Sequence, residues 1–181
     1  MYKTFPKVSE IVVKDKTRPA LQNAVVIGNT LIATDGNVLI MLKTSSLVQS
    51  EEQEQNLSGK VFSRDLLLLL QKAKKLIFLK DKISVDGIMM DYSGTIDENR
   101  NGYLGNSLDA DFVYPDTKPV IPTNPSEQDS FSLDPKNLAR ILDCFSSISV
   151  VLQFHGKTRP ATVLNPLDDD QRGLIMPKGA I

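Results

Sequence analysis

Three groups of residues in the sequence are of types that could carry out chemistry. A run of three aspartates at positions 168–170 offers oxygen ligands of the kind that magnesium binds. Cys144 and His155, the only cysteine and the only histidine, could act as a nucleophile and a base. A Gly-Lys-Thr sequence at positions 156–158 shares its residue types with the end of a phosphate-binding loop. These groups point to metal-assisted hydrolysis, covalent catalysis and nucleotide binding, respectively.

None of the three groups has the other residues that its chemistry requires. No further carboxylates are spaced to complete a metal site around the aspartates, which are better explained by an exposed hairpin turn. Cys144 lies beside Phe145 in an apolar helical pattern, which is typical of a packed thiol, and His155 forms no recognisable triad with it. The Gly-Lys-Thr sequence lacks the upstream glycine of a phosphate loop. We expect no enzymatic activity, metal or cofactor; the alternative is a hydrolase that uses the aspartates.

The composition indicates a nearly neutral chain that is long enough to bury a core. Its 181 residues suffice for one domain, or for one domain and part of another. With 21 basic and 22 acidic residues the chain is not a polycation, so any contact with DNA must come from a local patch. One cysteine excludes an internal disulfide and favours a reducing compartment. Because neither a membrane-spanning run nor a secretory signal is seen, we expect a cytoplasmic protein without membrane contact.

Short strands separated by turn-forming residues dominate the sequence. Residues 24–42 predict three strands, which are separated by Gly-Asn and by Asp-Gly-Asn, sequences that tolerate a positive φ angle. Residues 75–92 repeat this pattern, with a turn at Asp86-Gly87. Residues 148–164 predict a hairpin that turns near His155, and residues 172–177 predict one more strand. These strands are expected to pair in antiparallel sheets.

Two helices are predicted between the strands. The first follows Ser63, a good N-cap residue, and ends on three cationic residues that suit the negative end of the helix dipole. The second begins with Asp134 as the cap and Pro135 at the first helical position. Its residues Leu138, Ile141, Leu142 and Phe145 form one apolar face, from which Lys136 and Arg140 are expected to point away.

The elements follow a recurring order of one strand, one helix and three antiparallel strands, written βαβββ. Two copies can be recognised, and the opening residues predict the strands of a third copy whose helix is shortened within residues 5–15. The acidic run at 50–55 is interpreted as solvated surface. Residues 93–107 and 114–128 are interpreted as a loop and a proline-rich linker.

Three separated motifs in this order resemble the bacterial DNA polymerase III beta subunit, the sliding clamp that keeps the polymerase on DNA. They are "RPALQNAVV" followed by "LIATDGNVLI", then "FVYPDTKPVIP", and finally "GLIMP". The resemblance begins near Arg18. It implies an α+β fold of βαβββ half-domain repeats, with antiparallel sheets outside and helices on one face. Residues 1–122 resemble the middle clamp domain with a shortened first helix, and residues 123–181 resemble the second half of the last domain.

The resemblance also implies a pocket for short linear peptides, such as those that DNA polymerases, clamp loaders and repair proteins present to clamps. Its residues would be Leu21, Thr34, Gly36, Asn37, Val38, Leu39, Pro115, Val120, Leu174 and Met176. Glycine allows close approach of a peptide backbone, and methionine adapts to varied apolar partners. Asn37 and Val38 replace a His-Arg pair that is common in the family, and Pro119 replaces a frequent basic residue. The peptide specificity is therefore expected to differ.

A second set of residues matches positions that face DNA in clamps. They are Lys14, Lys16, Lys72, Lys74, Lys75, Lys136 and Arg140. Cations on rigid helices suit contact with phosphates rather than bases, although exposed lysines are also common on ordinary helices. The resemblance includes no counterpart of the amino-terminal clamp domain, so we expect the usual ring interface to be absent. One other way to close a ring around double-stranded DNA is a homo-oligomer, such as a tetramer in which each chain contributes three half-domains. The alternative is a regulatory decoy or accessory subunit that pairs with a full-length clamp without sliding on DNA.

Overall fold

A computed structural model describes residues 4–15, 17–97, 104–107, 111–122, 132–145, 149–156 and 158–178. Its strands are β1 (Asn23–Ile27), β2 (Thr30–Thr34), β3 (Val38–Lys43), β4 (Lys60–Ser63), β5 (Leu76–Phe78), β6 (Lys82–Val85), β7 (Ile88–Asp91), β8 (Gly94–Asp97), β9 (Leu104–Ser107), β10 (Asp111–Val113), β11 (Val151–Gln153), β12 (Ala161–Asn165) and β13 (Asp168–Ile175). Its α-helices are α1 (Glu51–Leu57), α2 (Arg64–Lys72) and α3 (Pro135–Leu142). Short 3-10 turns cover Val8–Glu10, Pro19–Gln22, Thr44–Ser46 and Lys118–Val120.

The described strands form one large and one small antiparallel sheet. The large sheet has ten strands in the order β10-β9-β8-β4-β1-β2-β3-β13-β12-β11, and the small sheet has the order β5-β6-β7. Strand β13 pairs with β3 on one side and with β12 on the other. The predicted regions 1–122 and 123–181 therefore contribute to the same sheet. The prediction of an α+β fold with large antiparallel sheets is confirmed.

The large sheet buries apolar side chains on both of its faces, because successive residues of a strand point to opposite sides. The helix-face core contains Val26, Ala33 and Ile40 of the sheet together with residues of α2, α3 and the small sheet. The opposite-face core contains, among others, Val25, Ile32, Leu39, Phe112, Tyr114 and Leu174. The first three strands thus read as nearly continuous apolar runs.

Both predicted helices form, with the predicted caps. The Ser63 hydroxyl accepts a hydrogen bond from the Leu66 amide at 3.4 Å, and the Asp134 carboxylate accepts one from the Lys136 amide at 2.9 Å. Helix α2 ends at Lys72, however, so the prediction that it continues to Lys74 and Lys75 is wrong. Those two amides instead donate to the Asp86 carboxylate at 2.9 and 2.8 Å, which fixes them in the connection to β5.

One interpretation of the connecting segments is wrong, and another is extended by the structure. The acidic run at 50–55 is exposed or half-buried, as expected for solvated surface, but it also forms the start of helix α1, which the Ser50 side chain caps and which buries Leu57 against the helix-face core. Residues 93–107 contain β8 and β9, so their interpretation as a continuous loop is wrong. A Cβ atom at Gly105 would lie 2.5 Å from the Phe112 ring, so glycine there makes room for an aromatic ring on the neighbouring strand. The second copy of the predicted unit begins at residue 130, so the start of its first strand lies outside the described part of the chain.

Gly173 allows α3 to pack closely on β13, and this contact can be tested. A Cβ atom at this position would overlap Cγ2 of Ile141. We expect Gly173→Ala to lower the free energy of unfolding by about 1–3 kcal/mol, measured by urea denaturation, since overpacking a core costs that much. Ile141→Leu removes the methyl group at the branch point, so the double variant should recover part of the loss. Simple additivity of the two substitutions would contradict this explanation.

Candidate functional site

A pocket of about 280 Å³ opens where β3, β13 and the proline-rich segment after β10 come together. Its lining consists of Leu21, Thr34, Gly36, Asn37, Val38, Leu39, Pro115, Asp116, Thr117, Val120, Pro160, Leu174 and Met176. All ten residues that the resemblance singled out are among them. Segments that are more than 130 positions apart in the sequence therefore border one cavity, whose lining is mostly apolar.

Two leucines from different ends of the chain form the floor of the pocket. Leu39 of β3 and Leu174 of β13 are direct cross-strand partners, and only 5% and 4% of their surfaces are exposed. Both belong to the opposite-face core. The floor is thus part of the folded sheet and its core. Substitution of either leucine by a charged residue would disturb folding as well as the pocket.

The Thr-Asp-Gly turn between β2 and β3 forms one rim of the pocket, and several hydrogen bonds within the turn stabilise it. The Thr34 hydroxyl donates to the Val38 carbonyl at 2.7 Å and accepts from the Gly36 amide at 3.1 Å. The Asp35 carboxylate oxygen Oδ1 accepts from the Asn37 and Val38 amides, both at 2.9 Å. Gly36 has a φ angle of +94°, which residues other than glycine rarely adopt. Each residue type of the motif therefore has a structural role in shaping this rim.

The opposite rim comes from the segment that follows β10. Tyr114 is fully buried, and its hydroxyl donates to the Ile32 carbonyl at 3.3 Å. This hydrogen bond attaches the segment to strand β2 of the large sheet. Burial raises the pKa of the Tyr114 hydroxyl, so it stays neutral. The Asp116 carboxylate accepts from the Lys118 amide at 3.0 Å and shapes the turn that carries Val120.

Three lining residues were not predicted. Asp116 and Thr117 belong to the "FVYPDTKPVIP" motif, so their neighbours Pro115 and Val120 were a signal for them. Pro160 had no such signal. It immediately precedes Ala161, which pairs with Ile175 across β12 and β13, and only this pairing brings it to the pocket.

Most of the residues predicted to face DNA are exposed. Lys14, Lys72, Lys74, Lys75 and Lys136 all have exposed side chains, whereas Lys16 lies outside the described residues. Helices α2 and α3 both pack into the helix-face core, so Lys72 and Lys136 belong to the same side of the large sheet.

Arg140 differs from these lysines because its guanidinium group is engaged within the protein. It donates to the Asp35 carboxylate at 2.7 Å and to the carbonyl oxygens of Glu10 and Ile11 at 2.7 and 3.0 Å. Its side chain is 27% exposed, and that of Asp35 only 12%. The resemblance assigned Arg140 to the DNA-facing set, whereas in the structure its guanidinium group connects α3 to the pocket turn.

Cys144, His155 and Asp170, which first suggested enzymatic chemistry, have surroundings that are typical of structural residues. Burial raises the pKa of the Cys144 thiol to about 12, with a further contribution from Asp143, so little thiolate forms near neutral pH. His155 is buried, with its Nε2 atom 2.8 Å from the Thr162 hydroxyl. Asp170 pairs with Lys43 at 2.6 Å. In the described part of the chain, no three histidine, cysteine or carboxylate side chains are grouped as metal ligands would be.

None of the described helices is long and apolar enough to cross a membrane.

The hydroxyl group of Thr34 should account for much of the stability of the pocket turn. Thr34→Val leaves the Val38 carbonyl and the Gly36 amide without this partner, so we expect a loss of about 1–3 kcal/mol in the free energy of unfolding. Thr34→Ser keeps the hydroxyl and should cost clearly less. Urea denaturation of the two variants measures the difference. Equal losses would show that the lost methyl packing, not the hydrogen bonds, is responsible.

Comparison with known proteins finds similarity at the level of structure. No protein-family model matches the sequence, and no curated protein matches it either. Among solved structures, the DNA polymerase sliding clamp of Bacillus subtilis matches 98% of this chain and 64% of its own, with a TM-score of 0.55 and 16% identity. The DNA polymerase III beta subunit of Pseudomonas aeruginosa matches 97% and 62%, with a TM-score of 0.58 and 14% identity.

The beta subunit of Thermotoga maritima gives a similar result, with 97% and 63% coverage, a TM-score of 0.58 and 12% identity. The fold of this chain is therefore clamp-like. The chain spans less than two thirds of the length of these clamps.

Proposed function

We propose that the protein is a non-catalytic, sliding-clamp-like protein of DNA replication or repair. Its pocket binds short linear peptides of a DNA polymerase, a clamp loader or a repair protein. The observation that carries this proposal is the convergence of three distant segments on one apolar pocket within a clamp-like fold. Since DNA replication takes place in the bacterial cytoplasm, that is the proposed location.

The chemistry of the pocket suits apolar anchor residues of a peptide. Val120 and Met176 on its rims are 50% and 42% exposed, and large apolar side chains that a partner can cover favour association. The buried floor of Leu39 and Leu174 offers a dry surface to an aliphatic or aromatic side chain. Gly36 carries no side chain to obstruct the peptide backbone. A site of this size suits a transient complex with a short motif rather than a large permanent interface.

We expect Met176→Asp and Val120→Asp each to weaken binding of a labelled peptide of the Gln-x-x-Leu-Phe type by at least about tenfold. Each substitution places a carboxylate where the peptide would remove it from water, which is unfavourable unless the charge is paired. A tenfold change corresponds to about 1.4 kcal/mol. Fluorescence anisotropy measures the affinity. Both positions are exposed, so these variants should fold, unlike a charged substitution at Leu39.

Leu167→Asp is the matched control, because Leu167 is 76% exposed and does not line the pocket. It introduces the same charge and should leave the affinity unchanged. A peptide in which the Gln, Leu and Phe are replaced by alanine tests the specificity of the site. Failure of the unmodified protein to bind the first peptide at high micromolar concentration would count strongly against the proposal.

The second part of the proposal is that double-stranded DNA contacts the side of the protein that carries α2 and α3. Exposed lysines at positions 14, 72, 74, 75 and 136 would contact phosphates and not bases. The net charge of −1 means that such binding depends on the local arrangement of these cations. Arg140 is not part of this surface, because its guanidinium is bonded to the pocket turn.

DNA binding should therefore depend on salt and not on sequence. A contribution of about 0.9 per phosphate contact predicts a slope of log affinity against log salt no steeper than about −4.5 for five lysines. Replacing Lys72, Lys74 and Lys75 together by glutamine should reduce the slope by up to about 2.7. Lys118→Gln removes a cation from the pocket side of the large sheet and is the control, which should leave the slope unchanged. An equal loss of slope per lysine in the two variants would mean that no specific DNA face exists.

A further inference from the structure

We propose that Arg140 is a positioning residue for the pocket: it holds the Thr34–Val38 turn through Asp35 and so sets the shape of the peptide-binding rim. This inference rests on the proposed function for its binding consequence, but its structural consequence can be measured without any peptide. Arg140 lies on α3, which packs on the helix face of the sheet, whereas the pocket floor belongs to the opposite face. The contact therefore connects the two sides of the sheet at the end of β2.

The Arg140 guanidinium makes contacts that hold it in one place. Its Nη1 atom donates to Asp35 at 2.7 Å and to the Asn137 side chain at 3.1 Å. Its Nε and Nη2 atoms donate to the carbonyl oxygens of Glu10 and Ile11 at the short 3-10 turn near the amino terminus. Three separate chain segments thus meet at one side chain. A planar guanidinium with several fixed donors can satisfy all of them, whereas a lysine ammonium cannot match this geometry.

Asp35 transmits this position to the pocket rim. While one carboxylate oxygen accepts from Arg140, the other accepts from the Asn37 and Val38 amides, which lie in the rim itself. The Asn37 carbonyl in turn accepts from the Met176 amide at 3.2 Å. A continuous series of hydrogen bonds therefore runs from α3 through Asp35 to Met176. Displacement of the Arg140 side chain would release the acceptor that orients the Thr34–Val38 turn and, through Asn37, the backbone of Met176.

This ion pair is more buried than the other ion pairs between described residues. The side chains of Lys82 and Asp91 in the small sheet are 54% and 77% exposed, with 3.7 Å between the charged atoms. Those of Arg140 and Asp35 are 27% and 12% exposed, with 2.7 Å between the atoms. Exposed pairs contribute little because water and salt screen them, whereas a partly buried, hydrogen-bonded pair is screened less. The Arg140–Asp35 pair is therefore able to restrain the turn.

The first test is amide hydrogen exchange of the full chain without peptide. In Arg140→Gln we expect the Asn37, Val38 and Met176 amides to exchange at least about tenfold faster, while amides of the small sheet keep their rates. Lys82→Gln removes one cation and one exposed ion pair, and it should leave these three amides unchanged. Asp35→Asn keeps an acceptor for the turn but weakens the ion pair, so it serves if Arg140→Gln does not fold. Unchanged exchange at the rim in a folded variant of either residue overturns the inference.

The second test is affinity for the labelled Gln-x-x-Leu-Phe peptide. We expect Arg140→Gln to bind at least about fivefold more weakly, Arg140→Lys to recover only part of the loss, and Lys82→Gln to bind normally. The double variant that combines Arg140→Gln with Asp35→Asn should bind the peptide as tightly as the single variant with the lower affinity, because both substitutions remove the same restraint. Normal binding by a folded Arg140→Gln overturns the inference. If the unmodified protein does not bind the peptide but rim exchange responds as expected, the proposed function fails and the positioning role stands.

Discussion

The pairing of β13 with β3 is the interaction on which the pocket depends. It places Leu174 opposite Leu39 and brings the carboxy-terminal strand beside the Thr-Asp-Gly turn. A shift of the register by one residue would turn Leu174 to the helix face and Ile175 to the pocket, because strand side chains alternate. Gly173 supports the observed register, since it leaves the space that Ile141 of α3 occupies. The pocket floor and the packing of α3 are therefore consequences of one strand pairing.

The large sheet is covered on both faces, and the pocket lies where part of the opposite-face core remains open. Phe112 and Tyr114 belong to the covered part of this core. Leu39 and Leu174 continue the same apolar layer into the pocket, where they form its floor. A floor that also stabilises the fold cannot vary freely, whereas the rim residues Val120 and Met176 are exposed and can. The fold thus separates a buried floor from an exposed rim.

Local sequence signals predicted those parts of the fold that local interactions stabilise. Glycine and asparagine at tight turns, and Ser63 and Asp134 at helix starts, satisfy the backbone within a few residues. The strands β8 and β9 were missed because their sequences, GTID and LGNS, are short, glycine-containing and poor in apolar residues, and Gly105 has a role only beneath Phe112. Helix α1 was missed because its polar sequence resembles solvated surface, and its burial of Leu57 depends on the rest of the core.

By itself, the sequence determined the turn chemistry, the short apolar runs of the strands and the three separated motifs that together resemble a clamp. These are properties of residues that are close along the chain. The resemblance implied that the motifs border one pocket, but the tertiary structure alone decided that Pro160 joins it and that Arg140 bonds to Asp35. Such contacts join residues about 100 or more positions apart, and they follow from strand pairing and helix packing, which no local pattern specifies.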